Sequence, residues 1–253
     1  MKLGLVLSGG GARGITHLGV LKALEEMDIK FSIISGTSAG SIVGALYAYG
    51  YKSDEIFDVV KSISFFKSMR PAWTRVGLLQ MIWLNDLLVK YIPENNFNAL
   101  KIPLTVAATE IRKGQIHYFT EGELIPVIIA SSSIPAVFNP VQVREGTYVD
   151  GGILDNLPVK PIMDKCDFIV GLHCNSISEN FNPLNIKSVI ERSLLMAINA
   201  NTQISRNMCN VFIEPPFMDR YTAFDIGHAQ AIFDIGYKYT KENFTPNHFQ
   251  SKK

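Results

Sequence analysis

Two glycine-rich turns near the start of the chain limit its fold more than any other feature of the sequence. Residues 2–7 form a short apolar run that leads into the glycine cluster at 8–14. Residues 31–35 form a second such run, which leads into the turn at 36–40. Apolar residues at helical spacing follow each turn. Alternation of strand and helix with short connections predicts an α/β fold, with a mostly parallel sheet covered by helices on both faces.

The first turn, residues 8–14, has the sequence SGGGARG. Backbone N–H groups at a helix start lack intrahelical partners, and the helix dipole adds positive potential, so a glycine loop there is suited to an anion. Gly9, Gly11 and Gly14 have the G-x-G-x-x-G spacing of dinucleotide-binding folds, but the second strand lacks the acidic end that holds the ribose. A P-loop needs Gly-Lys-Ser/Thr, whereas here Arg13 precedes Gly14. Both phosphate hypotheses are therefore disfavoured. A glycine loop alone is weak evidence, so the choice between a phosphate and a transient oxyanion depends on the motif that follows it.

The second turn, residues 36–40, has the sequence GTSAG between a predicted strand and a predicted helix. In this context G-x-S-x-G is typical of a nucleophile elbow, in which the serine hydroxyl projects from a tight turn at the helix N-terminus. Gly36 and Gly40 leave room for such a turn on either side of Ser38. An ordinary glycine-containing turn has the same pattern, so the motif alone does not establish a catalytic serine.

Asp150 is the candidate base for this serine, because a serine hydroxyl is a poor nucleophile until a base accepts its proton. It ends a short apolar run, and Gly151 and Gly152 after it leave its carboxylate uncrowded. An Asp-Gly turn in a hairpin looks the same. The hypothesis therefore depends on the combination of Asp150 with the two earlier motifs.

Taken together and in this order, the three motifs resemble those of the patatin-like phospholipase family. The segments 130–140 (ASSSIPAVFNP) and 155–158 (DNLP) are also similar to family sequences. The resemblance runs from residue 2 to about residue 171 and is weak between residues 53 and 100. It implies a three-layer α/β/α fold and a serine lipid acyl hydrolase of the phospholipase A, lysophospholipase or esterase type.

What the resemblance implies for the site is a Ser38–Asp150 dyad that works without histidine and through an acyl-enzyme. The sequence shows no metal-binding cluster, and no cofactor is expected. Backbone N–H groups around Gly10, Gly11 and Ala12 would hold the oxyanion. The full set implied by the motifs comprises an oxyanion loop (Gly9, Gly10, Gly11, Ala12, Arg13, Gly14), the elbow glycines (Gly36, Gly40) and the glycines that support Asp150 (Gly151, Gly152). The expected substrate is a lipid or a lipid-like ester.

Several alternatives stay open at this point. His173 comes after Ser38 and Asp150, which is the chain order of an α/β-hydrolase triad, so a histidine base is one alternative. An acyltransferase or thioesterase would use the same serine with another acceptor. A non-catalytic lipid-binding protein would keep the fold, although three intact motifs count against a decayed site. Nucleotide binding is the remaining alternative.

Residues 53–100 differ from the rest of the chain and hold both tryptophans. We interpret them as a helical cap inserted into a single domain that spans residues 1–253. Their large apolar side chains would form an acyl-chain channel, an interfacial surface or the cap's own core; they are Phe65, Phe66, Met69, Trp73, Met81, Trp83, Leu84, Leu87 and Leu88. The working hypothesis is a fatty acyl chain bound beneath this cap, with transient contact between the cap and a membrane surface.

The charge balance limits the expected partners. The chain has 24 Lys and Arg against 23 Asp and Glu, without blocks of like charge, so nucleic acid is not expected. Cys166, Cys174 and Cys209 match neither a disulfide framework nor a zinc motif, which predicts reduced thiols and a cytoplasmic location. The N-terminal apolar run is too short for a signal peptide, and glycines or prolines interrupt the long uncharged stretches, so no transmembrane helix is expected.

Overall fold

The computed structural model describes residues 1–68, 76–135, 137–177 and 186–250. The strands are β1 (Leu3–Leu7), β2 (Ile33–Thr37), β3 (Leu104–Glu110), β4 (Gln115–Phe119), β5 (Val141–Val143), β6 (Gly146–Asp150), β7 (Phe168–Leu172) and β8 (Val211–Ile213). The helices are α1 (Ile15–Glu26), α2 (Ala39–Tyr49), α3 (Ser53–Ser68), α4 (Val76–Tyr91), α5 (Ile125–Ser131), α6 (Ile186–Arg206) and α7 (Ala229–Asn243).

These strands form one mixed sheet in the order β5-β6-β3-β2-β1-β7-β8, and β4 also pairs with β3. The five strands from β3 to β8 in this order run parallel to one another. Strands β4 and β6 run antiparallel to β3, and β5 runs antiparallel to β6. The α/β fold with a mostly parallel sheet and helices on both sides, predicted from the sequence, is confirmed.

Alternate side chains of the central strands belong to two core clusters on opposite faces of the sheet. In β1, Leu5 and Leu7 join the larger cluster, whereas Val6 joins the smaller one. Helices α1 to α5 and α7 contribute to the larger cluster, and the segment 157–162 contributes to the smaller one. Burial on both faces explains why these strands are continuous apolar runs without the polar alternation of a half-exposed sheet.

Helices α3 and α4 lie within the segment 53–100. Phe57 of α3 stacks on Phe233 of α7, with 4.3 Å between the ring centroids. Leu84 and Leu88 of α4 are buried in the larger core cluster, and Trp83 is 36% exposed. Met69, Trp73 and the side chains of Phe65, Phe66 and Met81 lie outside the described residues. The interpretation of 53–100 as a cap inserted into one domain remains a prediction.

The bounds of strand β2 (Ile33–Thr37) differ from the predicted run 31–35 at both ends. Strand β2 continues to Thr37, two residues beyond the predicted end, because Gly36 and Thr37 pair with β3 and do not yet turn.

In the part of the chain that the structure describes, no helix is long and apolar enough to cross a membrane.

Candidate active site

Strand β3 brings the second and third sequence motifs together. Thr37, the last residue of β2, pairs with Ala107, and Asp150, the last residue of β6, pairs with the next residue, Ala108. Strand β2 runs parallel to β3 and β6 runs antiparallel to it, so the two strands end at neighbouring positions. Ser38 and Asp150, 112 positions apart in the sequence, are therefore adjacent in the fold.

Ser38 lies on a sharp turn between β2 and α2. Its backbone has φ 52° and ψ −124°, a positive φ that non-glycine residues rarely adopt. Helix α2 begins directly after it, and its second residue, Gly40, packs on the carbonyl group of Leu7 so closely that a side chain would overlap β1. A side chain on Gly36 would lie 2.6 Å from the Gly40 carbonyl oxygen. Both glycines are thus required by close packing around the elbow.

Asp150 is buried beside Ser38. Its Oδ1 accepts a hydrogen bond of 2.8 Å from the N–H of Gly152, which follows Gly151 in a short 3-10 turn. Burial raises the pKa of the Asp150 carboxyl to about 6, while hydrogen bonds from the Ser38 hydroxyl and the Gly152 N–H act in the opposite direction. A carboxylate with a raised pKa is a stronger base than an exposed aspartate.

The glycine loop lies next to the elbow. Among the residues that the structure describes, only some of its backbone N–H groups lack a hydrogen-bond acceptor. Ser8, Gly9, Ala12 and Arg13 of the loop donate their N–H groups to backbone carbonyls. The N–H of Ala12 donates to the Ala223 carbonyl at 2.8 Å. It is therefore not available to an oxyanion, contrary to the prediction from the sequence. Within the described residues, the N–H groups of Gly10 and Gly11 have no acceptor. The candidate N–H donors to an oxyanion are therefore fewer than the motif implied. Gly14, at the end of the loop, packs against Ala39 at the start of α2.

Above these groups lies a cavity of about 570 Å³, within the range of about 300–1,000 Å³ that is usual for small-ligand sites. Ser38, Asp150, Asn156 and the loop residues 9–11 form part of its polar surface. The other polar lining residues are Arg13, Asn175, Arg192, Asp219, Tyr221 and Thr222. Helix α6 provides much of its apolar wall, through Ile186, Ile190, Leu194, Leu195 and Ile198.

The described part of this wall comes from α6, whereas the sequence analysis predicted an acyl-chain channel beneath residues 53–100. None of the described lining residues belongs to that segment. The described apolar side chains of α4 that were candidates for the channel, Leu84 and Leu88, pack into the larger core cluster instead.

Asn156 and Asn201 are site residues that sequence reasoning missed. Asn156 is buried and lines the cavity. A methyl group placed on Gly9 would come within 2.7 Å of Asn156 Oδ1 and 3.0 Å of Ser38 Cβ, so the asparagine lies close to the serine. Asn201 of α6 donates to the Gly152 carbonyl at 3.1 Å and accepts from the Asn156 N–H at 3.1 Å. The sequence offered a signal for Asn156, because it belongs to the DNLP segment that is similar to family sequences. It offered no signal for Asn201.

His173 is engaged elsewhere. Its Nδ1 lies 2.7 Å from Oε1 of Glu214, and the ring is 2% exposed. Among the residues with described side chains, no hydrogen bond links it to Ser38 or Asp150, and it does not line the cavity. The geometry gives no support to the histidine triad considered above. Within the same described ranges, no cluster of three metal-ligating side chains is found.

Comparison with known proteins adds a family and a fold to this geometry. The family model described as "Patatin-like phospholipase" matches residues 5–163. Lysophospholipase NTE1 of Kluyveromyces lactis is 29% identical over 94% of this chain, and this chain spans only 19% of that protein's length. An uncharacterised NTE family protein of Mycobacterium bovis is 35% identical over 64% of this chain and 45% of its own length.

A solved structure supports the fold. VipD from Legionella pneumophila superimposes with a TM-score of 0.56 and 17% sequence identity, covering 95% of this chain and 66% of VipD. At this level of identity the likeness concerns the arrangement of strands and helices.

Proposed function

Because this chain belongs to the patatin-like phospholipase family, we propose that it is a serine lipid acyl hydrolase that cleaves carboxylic esters of fatty acyl chains. The observation that carries the proposal is a serine on a strained turn beside a buried carboxylate, at the polar end of an apolar cavity. A strained serine elbow costs stability, and such strain is found mainly at functional sites.

In the proposed reaction, Asp150 accepts the proton of the Ser38 hydroxyl while Oγ attacks the ester carbonyl carbon. The N–H groups of Gly10 and Gly11 then stabilise the tetrahedral oxyanion, for which removal of one donor typically costs about 3–4 kcal/mol. Collapse of this intermediate breaks the bond to the alcohol, which leaves with the proton from Asp150. Water attacks the acyl-Ser38 ester with Asp150 again as base. Collapse of this second intermediate breaks the bond to Ser38 Oγ, which takes the proton back from Asp150, and the fatty acid is released.

We propose that the acyl chain lies along α6. Apolar side chains of this helix face the cavity, and burial of each methylene group there contributes about 0.8 kcal/mol. The Kluyveromyces relative is named a lysophospholipase, so a lysophospholipid with one acyl chain is the first substrate to test.

Contact with a lipid surface, if it accompanies catalysis, is proposed for α6 and not for residues 53–100. Ile186 and Ile190 line the cavity and are 80% and 62% exposed, so the mouth of the cavity is apolar on its outer side. Exposed apolar patches of this kind are typical of interaction sites. A substrate whose chain starts in a lipid aggregate would enter the cavity at this mouth.

The test is hydrolysis of lysophosphatidylcholine and of a medium-chain p-nitrophenyl ester by the wild type and by Ser38→Ala, Asp150→Asn and His173→Ala. We expect the first two variants to lose at least about 1,000-fold in kcat, as removal of a catalytic residue does in serine hydrolases. His173→Ala should keep its activity if folded. Loss of activity in a folded His173→Ala protein would contradict the dyad.

Product identification separates the remaining alternatives. Free fatty acid is expected as the product, whereas an acyltransferase would instead give a new ester when an alcohol acceptor is present. A folded wild type that binds these lipids but hydrolyses none of them, and does not react with a fluorophosphonate at Ser38, would favour a lipid-binding protein.

A further inference from the structure

The run of three serines at the end of α5 belongs to a sequence segment for which the proposed mechanism gives no role. Ser131 ends α5, and Ser132 and Ser133 follow it. Ser131 and Ser133 are fully buried. Buried hydroxyl groups need hydrogen-bond partners, so these partners indicate what the serines hold in place.

Ser131 binds directly to the nucleophile elbow. Its Oγ accepts a hydrogen bond of 2.9 Å from the Ser38 N–H and donates one of 2.7 Å to the Ala107 carbonyl. The hydroxyl thus joins the elbow to β3 at the residue that pairs with Thr37. Ser38 follows the last residue of β2, and the Ser131 hydroxyl supplies an acceptor for its buried N–H.

Ser133 binds to the other member of the pair. Its carbonyl oxygen accepts a hydrogen bond of 2.9 Å from the Asp150 N–H. The Ser133 hydroxyl donates to the carbonyl of Ile129, one turn back in α5, and takes no part in this contact. Two residues of one short segment therefore hold the backbones of both Ser38 and Asp150.

We propose that Ser131 is a positioning residue for catalysis, and that the end of α5 sets the separation of Ser38 Oγ from the Asp150 carboxylate. This inference rests on the proposed function, because it assigns the distance between the two side chains a role in proton transfer. Proton transfer to a base requires hydrogen-bond reach, and a displacement of about 1 Å at a catalytic group can cost 100-fold in rate.

The central variant is Ser131→Ala, which leaves the Ser38 N–H buried without an acceptor. We expect kcat for a p-nitrophenyl ester to fall on the order of 10- to 100-fold with little change in KM, because the cavity walls are untouched. The second-order rate of Ser38 modification by a fluorophosphonate should fall by a similar factor. Ser131→Thr keeps the hydroxyl acceptor and should restore most of both rates.

Ser133→Ala is the matched control. It removes a buried serine hydroxyl two residues away, at the same end of α5, while keeping the backbone carbonyl that binds Asp150. Thermal unfolding of all variants measures the structural cost separately. We expect Ser131→Ala and Ser133→Ala to be destabilised to a similar degree, with a large loss of kcat in the first alone.

The outcomes distinguish this proposal from the proposed function. If the wild type neither hydrolyses esters nor reacts with fluorophosphonate, the proposed function fails and the inference fails with it. If the wild type is active and Ser131→Ala loses no more activity than Ser133→Ala, the positioning role alone is overturned. Should Ser131→Ala not fold, Ser131→Cys replaces it, since a thiol is a weak acceptor; activity in this variant equal to that of Ser131→Thr would also overturn the role.

Discussion

At the scale of single residues, the burial of Asp150 makes its carboxylate a stronger base and lowers the stability of the folded protein. Burial raises the pKa of its carboxyl, and the Ser38 hydroxyl and the Gly152 N–H are the groups that favour its ionised form. Burial of a charge is unfavourable without strong partners. The raised pKa has two consequences, one for the rate and one for the stability of the protein, and they have opposite signs.

The first prediction concerns the dependence of activity on pH. The Asp150 carboxyl must be ionised to accept the Ser38 proton, and its pKa is about 6 in the folded protein. We therefore expect kcat/KM for a soluble short-chain ester to fall tenfold per pH unit below about pH 6 and to level off above it. Initial rates between pH 4.5 and 8 test this; a level profile down to pH 4.5 would exclude Asp150 as a base with this pKa.

The second prediction concerns Asp150→Asn, which is expected to be inactive yet more stable than the wild type. The folded pKa of about 6 exceeds the ordinary value of 3.8, so the ionised carboxylate destabilises the fold above pH 6 and this penalty vanishes below pH 3.8. Asparagine keeps the acceptor for Gly152. Urea unfolding at pH 8 should show a gain on the order of 2–3 kcal/mol, shrinking at pH 5. An equal gain at both values would contradict the assignment.

At the scale of secondary-structure elements, α6 combines two roles. Its apolar side chains line the cavity, and its Asn201 bonds to the loop that follows Asp150 through the Gly152 carbonyl and the Asn156 N–H. The same helix therefore contacts the proposed acyl chain and supports the backbone beside the proposed base. Changes in the cavity wall can thus be tested for an effect on chain length apart from an effect on chemistry.

The third prediction is a loss of activity toward long acyl chains in Ile198→Asp. A charged side chain in the cavity wall should lower kcat/KM for a long-chain lysophospholipid on the order of 10- to 100-fold, because the acyl chain would have to cover a carboxylate. An acetyl ester should react nearly as in the wild type. Ile204→Asp is the control, since Ile204 is on the same helix, is 57% exposed and does not line the cavity. Equal effects of the two changes on long-chain substrates would argue against α6 as the acyl site.

At the scale of the whole molecule, the cavity opens at a surface where α6 exposes apolar side chains. Val189 and Met196 are 43% and 57% exposed and do not line the cavity. If this surface meets lipid, these side chains contribute to binding by transfer out of water, about 25 cal/mol for each Å² of apolar area buried. The orientation of the molecule on a lipid surface would then bring the mouth of the cavity to the substrate.

The fourth prediction is that Val189→Asp combined with Met196→Asp reduces binding to phosphatidylcholine vesicles without changing hydrolysis of a soluble acetyl ester. Cosedimentation with vesicles measures the first quantity and a spectrophotometric assay the second. Trp83→Asp in the segment 53–100 is the comparison, because that residue is 36% exposed on α4. Vesicle binding lost with Trp83→Asp and kept with the α6 pair would return the membrane contact to residues 53–100.

The sequence by itself determined the elements and the motifs. Periodicity and turn residues are local, so β1 lies within one residue of the predicted run 2–7. Helices α1 and α2 follow the two glycine-rich turns, as the helical spacing predicts. The elbow and the glycine loop were recognisable for the same reason, since each is built from residues within seven positions of one another.

Only the tertiary structure decided how these pieces meet. The position of Asp150 beside Ser38 follows from the pairing of β6 and β2 with consecutive residues of β3, and strand order cannot be read from local patterns. The sequence did not identify α6 as a wall of the cavity, because an apolar residue pattern indicates burial but not the partner that a side chain packs against. Asn201 and Ser131 reach the site through hydrogen bonds between segments far apart in the sequence, which only packing of the whole chain brings into contact.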